Sequence, residues 1–197
     1  LFASLVTLVL LAGAATDRAR NRQFMKFFIA LLIAAFLMLI GEAGLWYFMG
    51  SIEHIRLLKL CAFMSFGFGA VLNALYVYCL VAFVRERAQV SRKYADAIAF
   101  ICGVFIVLVF ISVFNGMFFY FDEKGMYHDG PMYFLVDAVD MLTLLSEMLM
   151  VIFYGRYLKT KGILTLISFS LFPIIAMFAL PYWNPTPLYL ATTLSLI

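Results

Sequence analysis

Charge is what this chain of 197 residues has least of: Asp, Glu, Lys and Arg together make up 13% of it, about half of the roughly 25% usual in a soluble domain. A shortage on that scale excludes a water-soluble enzyme, a disordered tail and a nucleic-acid-binding module. Cysteine is scarce as well. Cys61, Cys79 and Cys102 all fall inside apolar runs, and an odd number implies no disulfide framework, so they read as packing residues. Of the two histidines, His54 and His128, neither lies in an apolar run, which removes a haem held between membrane histidines. No Ser or Cys of an apolar run has a neighbouring His, and no glycine-rich phosphate loop occurs, so neither a catalytic constellation nor a cofactor is expected. A Zn²⁺ site needs three or four convergent ligands. Here Glu53 and His54 belong to one loop, and Asp122, Glu123, His128 and Asp129 to another, so no metal is expected either.

Apolar residues fill the space that charge leaves: 66% of the chain is hydrophobic and 18% aromatic, with a mean hydropathy of +1.04. Such a chain is a membrane protein. A spanning helix takes about 20 residues, so the length admits seven spans and no soluble domain. Apolar runs fall at 1–16, 26–49, 59–83, 97–119, 132–154, 163–180 and 188–197, which predicts an all-α integral membrane fold, a seven-transmembrane-helix bundle. Pro173 should kink the sixth span. Between the fourth and fifth, residues 120–131 alternate aromatic and polar types around Glu123-Lys124-Gly125, the pattern of a small hairpin. Leu1 is not a start methionine and the last apolar run is short, so both ends read as clipped from something longer.

A net charge of +3 is too weak to imply an acidic partner, and the basic residues serve better as topology signals. Arg18, Arg20, Arg22, Lys26, Arg85, Arg87, Arg92, Lys93, Arg156, Lys159 and Lys161 follow the first, third and fifth spans, whereas Arg56, Lys59 and Lys124 alone lie on the other side. Cytoplasmic loops carry the excess. The N-terminus is therefore expected outside and the C-terminal end of the seventh span in the cytoplasm.

The fifth span is the most informative segment, because an acid at the centre of a spanning helix costs about 3 kcal/mol against lipid. It carries Asp137, Asp140 and Glu147. At about 100° per residue these three and Thr143 share one sector roughly 120° wide, which must face the bundle interior. The second span adds Glu42 with Trp46 one turn above it, and the fourth adds Asn115 near its outer mouth. An outward-opening acidic and aromatic pocket follows, with Glu42, Trp46, Asn115, Asp137 and Asp140 as candidate ligand-binding residues. Intramembrane acids also act as hydrogen-bonding glue between helices, or as an ion or proton path, and all three readings stand. On the third span Ser65, Gly69 and Asn73 are spaced by four, a small-residue stripe read as helix packing.

Seven spans with the N-terminus outside invite two comparisons. A retinal protein needs a Schiff-base lysine in its seventh span, and residues 188–197 contain none. Animal-type receptor signatures also fail: Arg85-Glu86-Arg87 lacks the acidic-Arg-aromatic pattern, and Asn184-Pro185 lies at the outer end of the seventh span. The chain resembles instead the N-terminal seven-span sensor region of bacterial membrane histidine kinases and GGDEF diguanylate cyclases. That resemblance rests on Glu42, Trp46 and Gly50, spaced by four, on the outer loop Phe121-Asp-Glu-Lys-Gly-Met-Tyr-His-Asp-Gly-Pro131, and on Leu171-Phe-Pro173.

The resemblance implies that residues 1–197 form a sensor (input) domain, truncated before a cytoplasmic output module, in a bacterial cell membrane. It implies signal transduction of the two-component or diguanylate cyclase kind, and a homodimer formed through the output module. On this reading the fragment is not an enzyme. It binds a small-molecule or membrane-borne ligand at its outer side and passes a helix movement out through the seventh span. The rival is a small transporter or carrier that uses the intramembrane acids as a cation or proton relay.

Overall fold

Residues 22–85 and 89–155 are described by the structure, a computed structural model. The expected spans at 1–16, 163–180 and 188–197, the Pro173 kink and the Glu147 side chain lie outside the described residues. Four helices, α1 (Arg22–Phe48), α2 (Ile55–Arg85), α3 (Lys93–Asn115) and α4 (Phe134–Tyr154), are joined by short connections, and two short strands, β1 (Phe119–Phe121) and β2 (Tyr127–Asp129), separate α3 from α4. Among the described residues three stretches, Phe24–Phe48, Ile52–Arg85 and Lys93–Asn115, are long and apolar enough to cross a membrane. The chain is an all-α membrane protein. Three acidic positions, Asp137, Asp140 and Glu147, set α4 apart from the other three helices in composition.

Two helix boundaries differ from the expected ones for local reasons. A turn of 3-10 helix at Ile52–His54 starts α2 at Ile55, so Arg56 and Lys59 lie in its first turns instead of in a loop. The fourth expected span ends at Asn115 instead of 119. Gly116 takes φ 69° there and its N–H returns to the Ser112 carbonyl at 2.8 Å, the left-handed stop that glycine permits. Residues given to a helix by hydropathy alone go instead to a turn and a strand.

The expected hairpin is present: β1 and β2 pair antiparallel, with Phe119 opposite Asp129 and Phe121 opposite Tyr127. Its turn is built on one carboxylate. Asp122 Oδ1 accepts the N–H groups of both Lys124 and Met126 at 2.8 Å, and Gly125 sits at φ 72°. The Gly125 carbonyl then accepts the Gly50 N–H at 3.0 Å, which straps the hairpin tip to the turn between α1 and α2.

Packing follows the helical repeat. On α3 the buried positions Ala95, Ile98, Cys102, Phe105, Val109 and Ser112 step by threes and fours, one stripe facing the bundle. Its other face exposes Phe100, Val104, Val107, Phe110 and Phe114, as a helix whose surroundings are apolar does. Against α1, α2 makes its longest contact, and glycine brings the two backbones together. A Cβ placed on Gly41 would lie 2.8 Å from Ser65 N, and one on Gly44 would lie 2.5 Å from Cys61 Sγ. Small residues at such seams substitute close backbone contact for the hydrophobic drive that lipid removes.

Candidate functional site

At the hairpin end of the bundle the first aromatic pair of the hairpin turns inward. Phe118 and Phe119 are 0% and 1% exposed, stacking on Phe105 at 5.5 Å and on Phe66 at 5.3 Å respectively. Ser112 Oγ holds this connection by accepting the Phe118 N–H at 2.8 Å. Aromatic rings therefore roof the helices between α2 and α3.

Beneath and beside that roof stand the acids, and two of them, Glu42 and Asp140, are held by α2. Ser65 Oγ donates to Glu42 Oε2 at 2.8 Å, while Trp46 Nε1 donates to Glu42 Oε1 at 3.3 Å. Two turns along α2 from Ser65, Asn73 Nδ2 donates to Asp140 Oδ1 at 2.8 Å. A hydrogen bond to an ionised group contributes about 1.5–3 kcal/mol, enough to offset much of the cost of placing an acid in the apolar layer. Among the described residues no cation pairs with Glu42, Asp137 or Asp140.

Tyr133, at the start of α4, feels the charge of these acids. Its ring meets Phe66 edge-on at 6.3 Å, and its hydroxyl is pushed above the ordinary tyrosine range, first by burial and then by the negative charges of Asp129, Asp137, Asp140 and Glu42. Tyr127 on β2 is raised likewise by burial, then by Tyr133, Asp129 and Glu42. Both tyrosines are therefore O–H donors at physiological pH. They sit in a field of one sign made by acids from α1, α4 and the hairpin.

The sequence-predicted residues separate accordingly. Glu42 and Trp46 are hydrogen-bonded to each other, and Asp140 is hydrogen-bonded to Asn73 of α2. Asp137 is exposed and Trp46 is 48% exposed. Asn115 is not with them: it is exposed, and its Oδ1 accepts the Met117 N–H at 3.0 Å, so it shapes the turn after α3. Four participants escaped the sequence reading. Ser65 and Asn73 were assigned to helix packing, although an eight-residue spacing of two polar side chains on one span is the signal that marks them. Tyr127 belongs to a loop whose fold onto the helices is a tertiary event, and Tyr133 caps the start of α4 beside it.

From Asp140 a ladder of hydrogen bonds descends α4. Thr143 Oγ1 donates to the Asp140 carbonyl at 2.7 Å, Ser146 Oγ donates to the Thr143 carbonyl at 2.7 Å, and Tyr94 of α3 donates to the Ser146 carbonyl at 2.9 Å. Side-chain bonds of this kind to carbonyls three residues back loosen and bend helices. At the foot of the ladder, Tyr94 lines a cavity of about 230 Å³ with Val90, Ser91, Leu149, Met150, Phe153 and Tyr154. Nearby, Tyr78 of α2 donates to Asp96 at 2.7 Å and Arg92 lies 3.6 Å from the same carboxylate. At the hairpin, Asp122 is held below the usual carboxylate range, first by the Met126 N–H and then by His128, whose Nε2 is 3.2 Å away.

The family model described as Srg family chemoreceptor matches residues 47–159, a stretch that runs from the end of α1 past the end of α4. No curated protein and no solved structure matches the chain significantly. The match overturns the resemblance to bacterial histidine kinase and diguanylate cyclase sensors, and with it the two-component function, the bacterial membrane and the kinase or cyclase module. It points to a receptor and away from the carrier reading too. The dimer was expected only through that output module and is left without support. Among the described residues the motifs that suggested the bacterial family have local causes: Glu42 and Trp46 are an i,i+4 hydrogen-bonded pair, Gly50 takes φ 84°, and the loop 121–131 is a hairpin turn, while Leu171-Phe-Pro173 lies outside the described residues. Any span end and hairpin can require such residues. The missing acidic-Arg-aromatic triplet at Arg85-Glu86-Arg87 does not exclude a serpentine receptor.

Proposed function

Since that match runs over more than half of its length, the chain belongs to the Srg chemoreceptor family, and we propose that it senses a small cationic or donor-rich ligand at the hairpin end. Srg receptors are seven-transmembrane serpentine receptors of nematodes and not enzymes, so the chain is a multi-pass membrane protein with an extracellular small-molecule ligand. Our finer reading is that residues 1–197 form one seven-span receptor domain, with the N-terminus outside and the hairpin on the extracellular face. The basic residues Lys26, Arg85, Arg92 and Lys93 then lie at the cytoplasmic end, as the positive-inside rule asks.

The observation that carries the ligand class is that Glu42 and Asp140, from two different helices, are both tied to α2 through Ser65 and Asn73 with no cation beside them among the described residues. Glu42 and Asp140 each take a donor from α2, but a carboxylate accepts about four hydrogen bonds, so both keep acceptor capacity for an ammonium or a polyol. Trp46 and Tyr133 supply aromatic faces that attract cations. A ligand that draws Asp140 away from Asn73 changes the anchorage of α4, and a receptor responds when its ligand prefers one arrangement over the other.

Expression of the receptor in cells carrying a signalling reporter, screened with small amines and with carboxylic acids of matched size, tests this reading. Amines should activate, and Asp140→Asn and Glu42→Gln should each abolish the response at unchanged surface expression. Preference for acids, or full response in both variants, refutes it. Loss of thermal stability with an unchanged response assigns these acids to helix glue.

A further inference from the structure

Six Ser and Thr side chains lie among the described residues: Ser51, Ser65, Ser91, Ser112, Thr143 and Ser146. Four are buried, Ser51 is half-buried at the hairpin end, and Ser91 alone is exposed. Its surroundings are chemically specific. Arg92 and Lys93 follow it directly and are exposed, and Arg85 at the end of α2 is exposed as well. Residues 89–91 are not helical, so the backbone leading into Ser91 can lie extended in an enzyme cleft. Its Oγ accepts the Lys93 N–H at 3.3 Å, a use of the lone pair that leaves the hydroxyl proton uncommitted among the described residues.

We propose that Ser91 is a phosphorylation site for a serine/threonine kinase that selects basic residues after the serine, with ATP as the phosphoryl donor. The placement of Ser91 in the cytoplasm rests on the orientation proposed above. In the transfer, Ser91 Oγ attacks the γ-phosphorus and a new O–P bond forms. The bond to the β,γ-bridging oxygen breaks with its electron pair leaving on ADP, and the hydroxyl proton passes to the carboxylate base of the kinase.

The product has a defined place to act. A phosphoserine carries nearly two negative charges, here just before the first turn of the 23-residue α3, where unpaired N–H groups and the helix dipole favour an anion. Arg92 now lies 3.6 Å from Asp96 and 5.7 Å from the centre of the Tyr78 ring. The phosphate competes for that guanidinium and repels Asp96, whose other partner is the Tyr78 hydroxyl. Tyr78 stacks on Phe27 of α1 at 5.1 Å, so modification at Ser91 loosens a clamp that joins α1, α2 and α3. Ser91 also lines the cavity beside Tyr94, and the phosphate alters what that cavity admits.

Purified full chain in nanodiscs, where both faces are open, is incubated with such a kinase and labelled ATP, and the label is mapped by peptide mass spectrometry. Label should appear on the peptide that carries Ser91, approaching about one phosphate at that residue. Ser91→Asn keeps a helix-capping side chain and should unfold at the wild-type temperature without taking label. Replacing Arg92 and Lys93 by alanine should slow labelling about tenfold. No label on Ser91, or labelling indifferent to Arg92 and Lys93, overturns the proposal. A second arm adds kinase and ATP outside intact cells: label on Ser91 there refutes the orientation and its regulatory use, while leaving the nanodisc result as a separate test of the site.

Discussion

A methyl group at Gly41 tests whether the close seam between α1 and α2 positions Glu42. The Cβ of Gly41→Ala would lie 2.8 Å from Ser65 N and 2.9 Å from both the Cys61 carbonyl oxygen and Met64 Cβ, whereas ordinary contact begins near 3.4 Å. Two of those atoms are backbone and cannot rotate away. The helices must part by about 0.6 Å, the difference between 3.4 and 2.8 Å, and a rigid shift of that size takes the 2.8 Å Ser65–Glu42 bond to the edge of hydrogen bonding. Overpacking costs about 1–3 kcal/mol and the weakened bond to a carboxylate up to about 1.5–3 kcal/mol more, so a loss of about 3 kcal/mol is expected after partial relaxation. Thermal unfolding in detergent, followed through the reactivity of the buried thiols Cys79 and Cys102, reports it. Ser65→Ala alone loses only the hydrogen bond. In the double variant that bond is already gone, so Gly41→Ala should cost less than it does in the wild type, a non-additivity expected of residues in contact. Gly103→Ala is the control: nothing lies within 4 Å of its Cβ, and helix propensity predicts a gain of about 0.5–1 kcal/mol. Wild-type stability in Gly41→Ala, or equal losses at Gly41 and Gly103, would show that the seam does not work as argued.

Other expectations follow from the same geometry. Asp122 has its folded pKa lowered by the Met126 N–H and by His128, so its contribution to the hairpin is present above the unfolded carboxylate value of about 4 and fades as pH falls below it. Amide exchange at Lys124 and Met126 should show that protection disappearing in acid, and Asp122→Asn should abolish the pH dependence. A Cβ on Gly130 would collide with the carbonyl oxygens of Met117 and Gly116, so Gly130→Ala should cost about 3 kcal/mol or more and reduce yield in an expression assay. Asn73→Ala and Tyr94→Phe remove opposite ends of the α4 ladder. Sites this far apart normally add within about 0.5 kcal/mol in thermal unfolding, and a larger coupling is expected if the ladder makes α4 respond as one piece; additivity would reject that.

Much of the fold was legible because lipid imposes a simple grammar. Hydropathy located α1, α2, α3 and α4 to within a few residues, and alternation around Gly125 located the hairpin. Boundaries slipped where one residue overrides hydropathy, as Gly116 does by turning left-handed after Asn115. The candidate site was half legible. Three acids on one face of the fifth span are visible in any helical projection, and Asp140 does turn to α2. That Glu42 finds Ser65, or that Asp140 finds Asn73, depends on tertiary packing that no periodicity encodes. The family assignment failed for a related reason: span-end and hairpin residues such as Glu42, Trp46, Gly50 and Asp122 serve local geometry and recur wherever that geometry does.

The stripe on α2 shows why packing and polarity cannot be assigned to different residues in such a bundle. Ser65 is small enough to let Gly41 of α1 approach its backbone, and the same hydroxyl then reaches Glu42 at 2.8 Å. Two turns on, Asn73 does the corresponding service for Asp140 on a different helix. Being more buried than α1 or α3, α2 acts as the mast to which acids from both sides are tied, at levels about 12 Å apart by helical rise. An acid whose satisfied state depends on one donor is stable only while its helix keeps that register. A ligand offering a better donor to Asp140 therefore acts on the position of α4, while one acting on Glu42 must work against the tight α1–α2 seam. On this argument α4 is the mobile partner and α1 the fixed one. Disulfide trapping decides it: a cysteine pair joining α1 to α2 should leave the ligand response intact, whereas one joining α4 to α2 near Asn73 should abolish it, and the opposite result would reverse the roles.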